Sequence, residues 1–322
     1  MSHSSPRVSV IVPTYNRAHL VRETLESIQK QTLSDWECLI VDDGSTDDTQ
    51  AVAESFASSD GKDRFHYFYQ ENSGAQVARN HGFAKSSGLY IQFLDSDDLI
   101  DEIKLERQVE GLEETGADYA HCAWRQFHMQ DGKRVLSRIY ADGPIPGGDH
   151  LSAEFRGWHP APNSYLFRRE TVEQVGPWDE ELTQNQDLDY AFRLGLTYLK
   201  SVFTAGTALH REHQGERISS HLNEQTARSR KRVLQKVERL LQESGRYDTY
   251  RPDLACIYAM YALQVHSQDS ELSKKWFLRS REIGIPSTPL RQGWFRMAWR
   301  ILGPKMAGRL LDWSHRLRNR NL

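Results

Sequence analysis

Residues 8–45 read VSVIVPTYNRAHLVRETLESIQKQTLSDWECLIVDDGS, and the way this stretch divides decides the fold. VSVIVPTY is almost wholly apolar and rich in β-branched side chains, as a strand buried on both faces requires. From Ala18 to Gln31 the period changes, and Leu20, Val21, Leu25 and Ile28 fall on one face of a helix. WECLIVDD returns to the strand pattern. The stretch is therefore a strand-helix-strand unit with short links.

The alternation continues outward. Ser45, with Asp48 three residues on, offers an N-cap for a second helix whose apolar edge is Val52 and Phe56. HYFYQ then reads as a third strand, Gln76 to Ser86 as a helix, LYIQFL as a fourth strand and Ile103 to Thr115 as a helix. This order predicts an α/β fold, a parallel sheet covered by helices on both faces. Four polar clusters, PTYN, DDGSTDD, ENSG and DSDD, each follow one of the four strands and so lie at carboxyl ends. Ligands bind at that edge of an open α/β sheet, and Asp43 and Asp97 are expected to share one site there. Each cluster alone also has a plain reading as a turn or a helix cap. Asp95, Asp97 and Asp98 fall within four positions, and such crowding calls for a cation or ordered donors among them. Neither acidic loop has the order of ligands of an EF-hand, and no GxGxxG or GxxxxGK[ST] is present.

The 322 residues, 38% hydrophobic and 26% charged, suffice for one large domain and an appendage. Cys38, Cys122 and Cys256 are odd in number and far apart, which suggests neither a disulfide framework nor a zinc site and fits a reducing, cytoplasmic setting. The first residues lack the pattern of a signal peptide, and no apolar run approaches the roughly 18 residues of a membrane span. The expectation is a soluble or peripheral protein. The net charge of −3 conceals a basic tail: from Arg291 to Leu322 eight Lys or Arg face only Asp312, so this segment carries +7 and the rest −10. Its Trp294, Phe295, Trp299 and Trp313 alternate with arginines, a pattern of helices on anionic membrane surfaces and equally of a terminal helix packed on its own domain. Nucleic acid is not an expected partner. Between His221 and Pro289 the pattern is helical, with RKRVLQKVERLLQES amphipathic and LACIYAMYALQVH suited to burial.

Three stretches together, residues 8–49, then ENSGAQVARNHGFAKSSGLYIQFLDSDD, then VGPWDEELTQNQDLDYAFRL, resemble the family 2 glycosyltransferases of the GT-A fold, over about residues 7–215. The resemblance implies a Rossmann-like mixed, mainly parallel sheet with a helical appendage, divided as residues 1–220 (catalytic), 221–290 (helical) and 291–322 (basic tail). It implies an inverting enzyme that moves a sugar from a nucleotide diphosphate donor, UDP above all, to a glycan or lipid-linked acceptor in cell-surface polysaccharide synthesis. Mg²⁺ or Mn²⁺ is the implied cofactor, and the implied place is the cytoplasm or the inner face of the membrane, with the tail as a contact. By the same resemblance Asp43 accepts a hydrogen bond from the donor's base, Pro13 and Tyr15 pack around that base, Asp95 lies near the ribose and Asp97 is the metal ligand. Gly74 lets backbone approach the donor. Arg79 either reaches phosphate or covers its helix. Asp187 is the base that deprotonates the acceptor, with Gln186 standing where the family commonly has glutamate; the plain alternative is that Asp187 and Asp189 decorate a helix's first turn. Trp158 and His159 precede a strand, where an aromatic either stacks on a sugar or belongs to the core, and His213 lies in LHREHQGERISSH, residues 209–221, a segment resembling the family's closing loop. A sugar-nucleotide nucleotidyltransferase and a non-catalytic nucleotide-binding module are the alternative functions.

Overall fold

The structure, a computed structural model, describes residues 5–59, 61, 63–212, 224–265 and 269–284. The loop holding His213 and the basic tail, residues 291–322, lie outside the described residues. The chain divides into two compact units, Met1–His150 with His159–Glu216, and Leu151–Trp158 with Arg217–Leu322.

The first unit opens with the expected alternation: β1 (Val8–Thr14), α1 (Ala18–Gln29), β2 (Trp36–Asp42), α2 (Thr49–Ser59), β3 (Phe65–Tyr69), α3 (Ala75–Lys85) and β4 (Tyr90–Phe93). Then follow β5 (Leu99–Ile100), α4 (Lys104–Thr115), β6 (Tyr119–Gln130) and β7 (Lys133–Tyr140). After α5 (His150–Phe155) come β8 (Tyr165–Arg168), α6 (Arg169–Val175), α7 (Gln186–Leu196) and β9 (Ser201–Arg211). The strands form one sheet in the order β3-β2-β1-β4-β8-β6-β9-β5, with β7 added to β6. β3, β2, β1 and β4 pair in parallel, as the sequence predicts. Beyond β4 the sheet is mixed: β8 is antiparallel to both β4 and β6, and β9 runs parallel to β6.

Every residue of β1 is buried, which explains its unbroken apolar run. Val8, Val10 and Val12 meet Val21, Leu25 and Ile28 of α1 in one core. On the other face α3 approaches β1 closely, because a Cβ at Gly82 would stand 2.5 Å from Ile11 Cγ2. Glycine is therefore fixed there by space rather than by backbone angle. Beneath the sheet Lys104 is fully buried, its ammonium donating to Gln92, to Gln108 Oε1 at 2.6 Å and to the Tyr165 carbonyl at 3.3 Å. All three acceptors are neutral, and burial pulls the lysine down to about 8 against the field of Cys122 and Asp101.

Two local expectations are corrected. Helix α2 starts at Thr49, not at Ser45, because Ser45 Oγ instead accepts from Asn16 N at 2.9 Å and ties two loops together. Leu209, His210 and Arg211, read as part of a loop, are the last residues of β9.

The second unit contains α8 (Glu224–Glu243), α9 (Tyr247–Val265) and α10 (Ser270–Ile283), joined by residues 151–158 from far earlier in the chain. Asp253 of α9 holds that early segment: Ser152 Oγ donates to Asp253 Oδ2 at 2.6 Å and Arg156 Nε to Oδ1 at 3.0 Å. Leu151 and Phe155 of the segment are fully buried. Among the described residues no helix is long and apolar enough to cross a membrane.

Candidate active site

The loops after β1, β2, β3 and β4 converge at the carboxyl edge of the sheet, and hydrogen bonds between them fix the floor of a crevice. Asn16, at φ 50°, accepts from Thr46 N at 2.8 Å, so a left-handed turn after β1 meets the turn after β2. The first amides of α1 are capped from the same neighbour, Arg17 N by Thr49 Oγ1 at 2.9 Å and Ala18 N by Asp47 Oδ2 at 3.1 Å. Thus α1 is capped by another loop, and no side chain of its own N-cap residue serves.

Asp43 is buried and already employed. Its Oδ1 accepts from Gln70 Nε2 and Ser73 N, both at 2.8 Å, and its Oδ2 from Gly74 N at 2.8 Å. A carboxylate has about four acceptor sites, so one on Oδ2 remains for a ligand's N–H. Gly74 serves this contact with φ 103°, a value side-chain-bearing residues rarely adopt, and a Cβ there would lie 2.6 Å from Gln76 Nε2. Pro13 is buried in β1, whereas Tyr15 is 46% exposed just after Thr14, whose carbonyl accepts from Asp43 N at 2.8 Å.

The three acids of DSDD have three separate fates. Asp98 is buried and structural: it accepts from Asn163 Nδ2 at 3.0 Å, from Arg211 N at 2.9 Å and from His210 Nδ1 at 3.1 Å. Burial opposes a charge on His210, but the Asp98 carboxylate outweighs it and raises the imidazole above its ordinary value, while burial raises Asp98 against the pull of His210. Asp95 lies 2.6 Å from Arg79 Nη2. Asp97 lies 3.7 Å from Arg17 Nε. Ordered donors and cations therefore offset the crowding of these acids, and protein groups supply them.

Arg79 does not cover its helix. It is buried, lies over the Trp178 ring at 4.5 Å and reaches both Asp95 and, at 3.4 Å, Gln186 Oε1. Gln186 in turn donates to Gln76 Oε1 at 2.7 Å and to the Leu182 carbonyl at 2.9 Å. Those two donations explain glutamine at this position, since a carboxylate could make neither. Asp187, next in sequence, is exposed in the first turn of α7, whose N-cap Asn185 is left-handed at φ 56°. Asp189 is buried instead and paired with Arg193 at 2.8 Å, so of the two acids in that turn only Asp187 is exposed. Trp158 is half-buried and His159 exposed.

The structure thus brings Tyr15, Asp43, Gly74, Asp95 and Asp97 to one edge and links Asp95 through Arg79 to the turn that carries Asp187. Sequence reading missed Arg17, Gln76 and the pair His210–Asp98; the only local signal was a basic residue directly after PTYN. Among the described residues no three His, Cys, Asp or Glu converge as metal ligands. Asp97, with its side chain 18% exposed, would offer a hard oxygen to Mg²⁺ or Mn²⁺, ions that take most of their ligands from phosphate and water. The donor set fits such an ion.

Comparison with known proteins shows the family. The profile described as Glycosyl transferase family 2 matches residues 9–176, over half of the chain. TuaG of Bacillus subtilis, named for teichuronic acid biosynthesis, is 37% identical over 152 residues, 47% of this chain and 59% of TuaG. An uncharacterized glycosyltransferase of Rickettsia bellii is 40% identical over 131 residues, 41% of this chain but 18% of that protein. The chain thus spans less than two thirds of these relatives. EpsH of B. subtilis, named as a glycosyltransferase, is 28% identical over 303 residues, 87% of this chain and 83% of EpsH. The fold matches the crystal structure of S. aureus TarS 1-349 in complex with UDP-GlcNAc with a TM-score of 0.69, at 18% identity and covering 97% of this chain and 92% of that one. With the profile spanning the β1 to α6 scaffold that builds the crevice, the chain belongs to glycosyl transferase family 2.

Proposed function

We propose that the chain is an inverting glycosyltransferase that moves a sugar from a nucleotide diphosphate, UDP foremost, to a hydroxyl of a glycan or lipid-linked acceptor in cell-surface polysaccharide synthesis. One observation carries the reading: Asp43, the Asp95–Asp97 loop and the Asp187 turn come from three separate segments and are tied together at one sheet edge by hydrogen bonds to the start and side chains of α3. The names of TuaG and the UDP-GlcNAc bound to TarS support the choice of pathway and nucleotide.

In this reading the base stacks beside Tyr15 and Pro13 and donates its imide N–H to the free acceptor site of Asp43. Asp97 would hold Mg²⁺ or Mn²⁺, which would supply Lewis-acid neutralisation of the departing diphosphate. Arg17, 3.7 Å from Asp97, would add a second positive charge there. Asp187 takes the proton from the acceptor hydroxyl; the hydroxyl oxygen bonds to the anomeric carbon as the bond to the diphosphate breaks, and the nucleoside diphosphate leaves. The developing negative charge sits near Arg17 and the Arg79–Asp95 pair, in a crevice where preorganised charge is most effective.

Calorimetric titration with UDP, GDP, CDP and TDP, each with and without Mn²⁺, tests the assignment. Metal-dependent binding of UDP that is lost in Asp97→Ala is the expected result. Binding of no nucleotide overturns the donor-site reading and the nucleotide-binding module alike, and binding unchanged by Mn²⁺ or by the substitution removes the metal from Asp97.

A further inference from the structure

The helical unit contains a cavity of about 460 Å³ whose walls come from α8, α9 and α10. Lys231 and Arg239 of α8 and Lys275 and Arg279 of α10 line it, against a single acid, Glu238. That acid is already used: buried Glu238 takes Arg279 and the hydroxyls of Tyr258, at 3.2 Å, and Tyr247, at 3.5 Å. Arg239 has Glu243 at 3.7 Å, and Arg279 has Glu282 at 3.0 Å as well as Glu238. Neither Lys231 nor Lys275 forms an ion pair among the described residues, although Glu271 stands one turn before Lys275 on α10. Two exposed ammonium groups without an ion-pair partner therefore lie on opposite walls of a concave site, an arrangement that an entering anion would stabilise.

The rest of the lining specifies more than an anion. Tyr258, Leu272 and Trp276 present apolar surface, and Gln235 and Gln242 add amides that both donate and accept. Apolar faces with amides at the rim suit a pyranose ring, which is apolar on its faces and hydroxylated at its edge. The volume falls in the range of small-ligand sites, roughly 300–1,000 Å³.

We propose that this cavity binds an anionic saccharide, a sugar ring bearing a phosphate or a carboxylate. The proposal goes beyond the transferase reading and uses none of its residues.

The test uses the full-length protein with ¹⁵N-labelled tryptophan. The Trp276 indole N–H, buried and without a partner among the described residues, is a local reporter, assigned by its loss in Trp276→Phe. Glucose 6-phosphate and an oligogalacturonate are the two anionic probes, with glucose and inorganic phosphate as controls. A saturable shift of the Trp276 signal with at least one anionic sugar is expected, and which of the two binds names the substituent. Lys231→Glu with Lys275→Glu should weaken that binding at least about tenfold, since both charges then repel the ligand. Both lysines are exposed, so the fold should persist; Lys231→Gln with Lys275→Gln replaces the pair if the thermal midpoint falls. The proposal fails if neither anionic sugar shifts Trp276, if inorganic phosphate alone matches the sugars, or if the lysine variants bind undiminished. Nucleotide titration of the same sample reads the crevice separately, so either result stands without the other.

Discussion

Arg79 joins the acids after β4 to the helix that carries Asp187, and its two polar contacts lie 16 and 107 positions away in sequence. That distance is why a single sequence gave it two readings, a phosphate ligand or a solvated helix side chain, when the fold gives it a buried place between Asp95 and Gln186. The place of Asp187 in the first turn of a helix was legible, because an acid at the start of an amphipathic helix is a local pattern; the burial of Asp189 against Arg193 was not, because it depends on the fold. If Asp187 is the base, Asp187→Asn removes proton abstraction and leaves the Asp43 and Asp97 contacts intact. Turnover should then fall roughly 10²- to 10⁴-fold with nucleotide affinity unchanged, as read by steady-state kinetics beside calorimetry. Turnover within threefold of the parent chain would place the base elsewhere.

At the level of elements, α3 is pressed onto β1 at Gly82. Helix propensity alone says that alanine there should stabilise by about 0.5–1 kcal/mol. The contact with Ile11 says the reverse, because overpacking a filled core costs typically about 1–3 kcal/mol. Gly82→Ala should therefore lower the unfolding free energy, measured by urea titration, and a gain in stability would show that the helix simply lifts away. The sequence displayed the elements from β1 to α4, the two-residue β5 excepted, to within a residue or two at most bounds, since strands buried on both faces and one-sided helices differ sharply in period. It hid β6, β7 and β9. Burial along β6 shifts from complete to partial, β7 is exposed on both faces, and β9 mixes threonine, histidine and arginine with apolar residues. One signal there was readable: Asp131 and Gly132, at φ 50° and 72°, make the left-handed pair of a tight hairpin. The segment between β7 and β8 has short helices and proline-led turns, and no period exists there to be read.

For the molecule as a whole, Lys104 sets a stability that depends on pH. Its ammonium is held down to about 8 in the fold against an ordinary 10.5, so the folded chain binds this proton more weakly than the unfolded chain. The charge therefore costs stability below about 8, and the cost disappears as pH rises toward 10.5, with a slope of at most about 1.4 kcal/mol per pH unit. The difference in unfolding free energy between the parent chain and Lys104→Met should grow in the parent's favour across that window; a flat difference would mean that Gln92 and Gln108 solvate the ammonium as well as water does. The helical unit has another kind of dependence, on order in time. Residues 151–158 leave the ribosome well before Asp253, the partner that holds them. Roughly a hundred residues separate the two, and at synthesis rates of about 5–20 residues per second the delay is on the order of 5–20 s. For that interval Leu151 and Phe155 have no helix α9 to cover them, so the nascent chain carries an apolar site that a holdase chaperone can recognise and that vanishes when the last helices arrive.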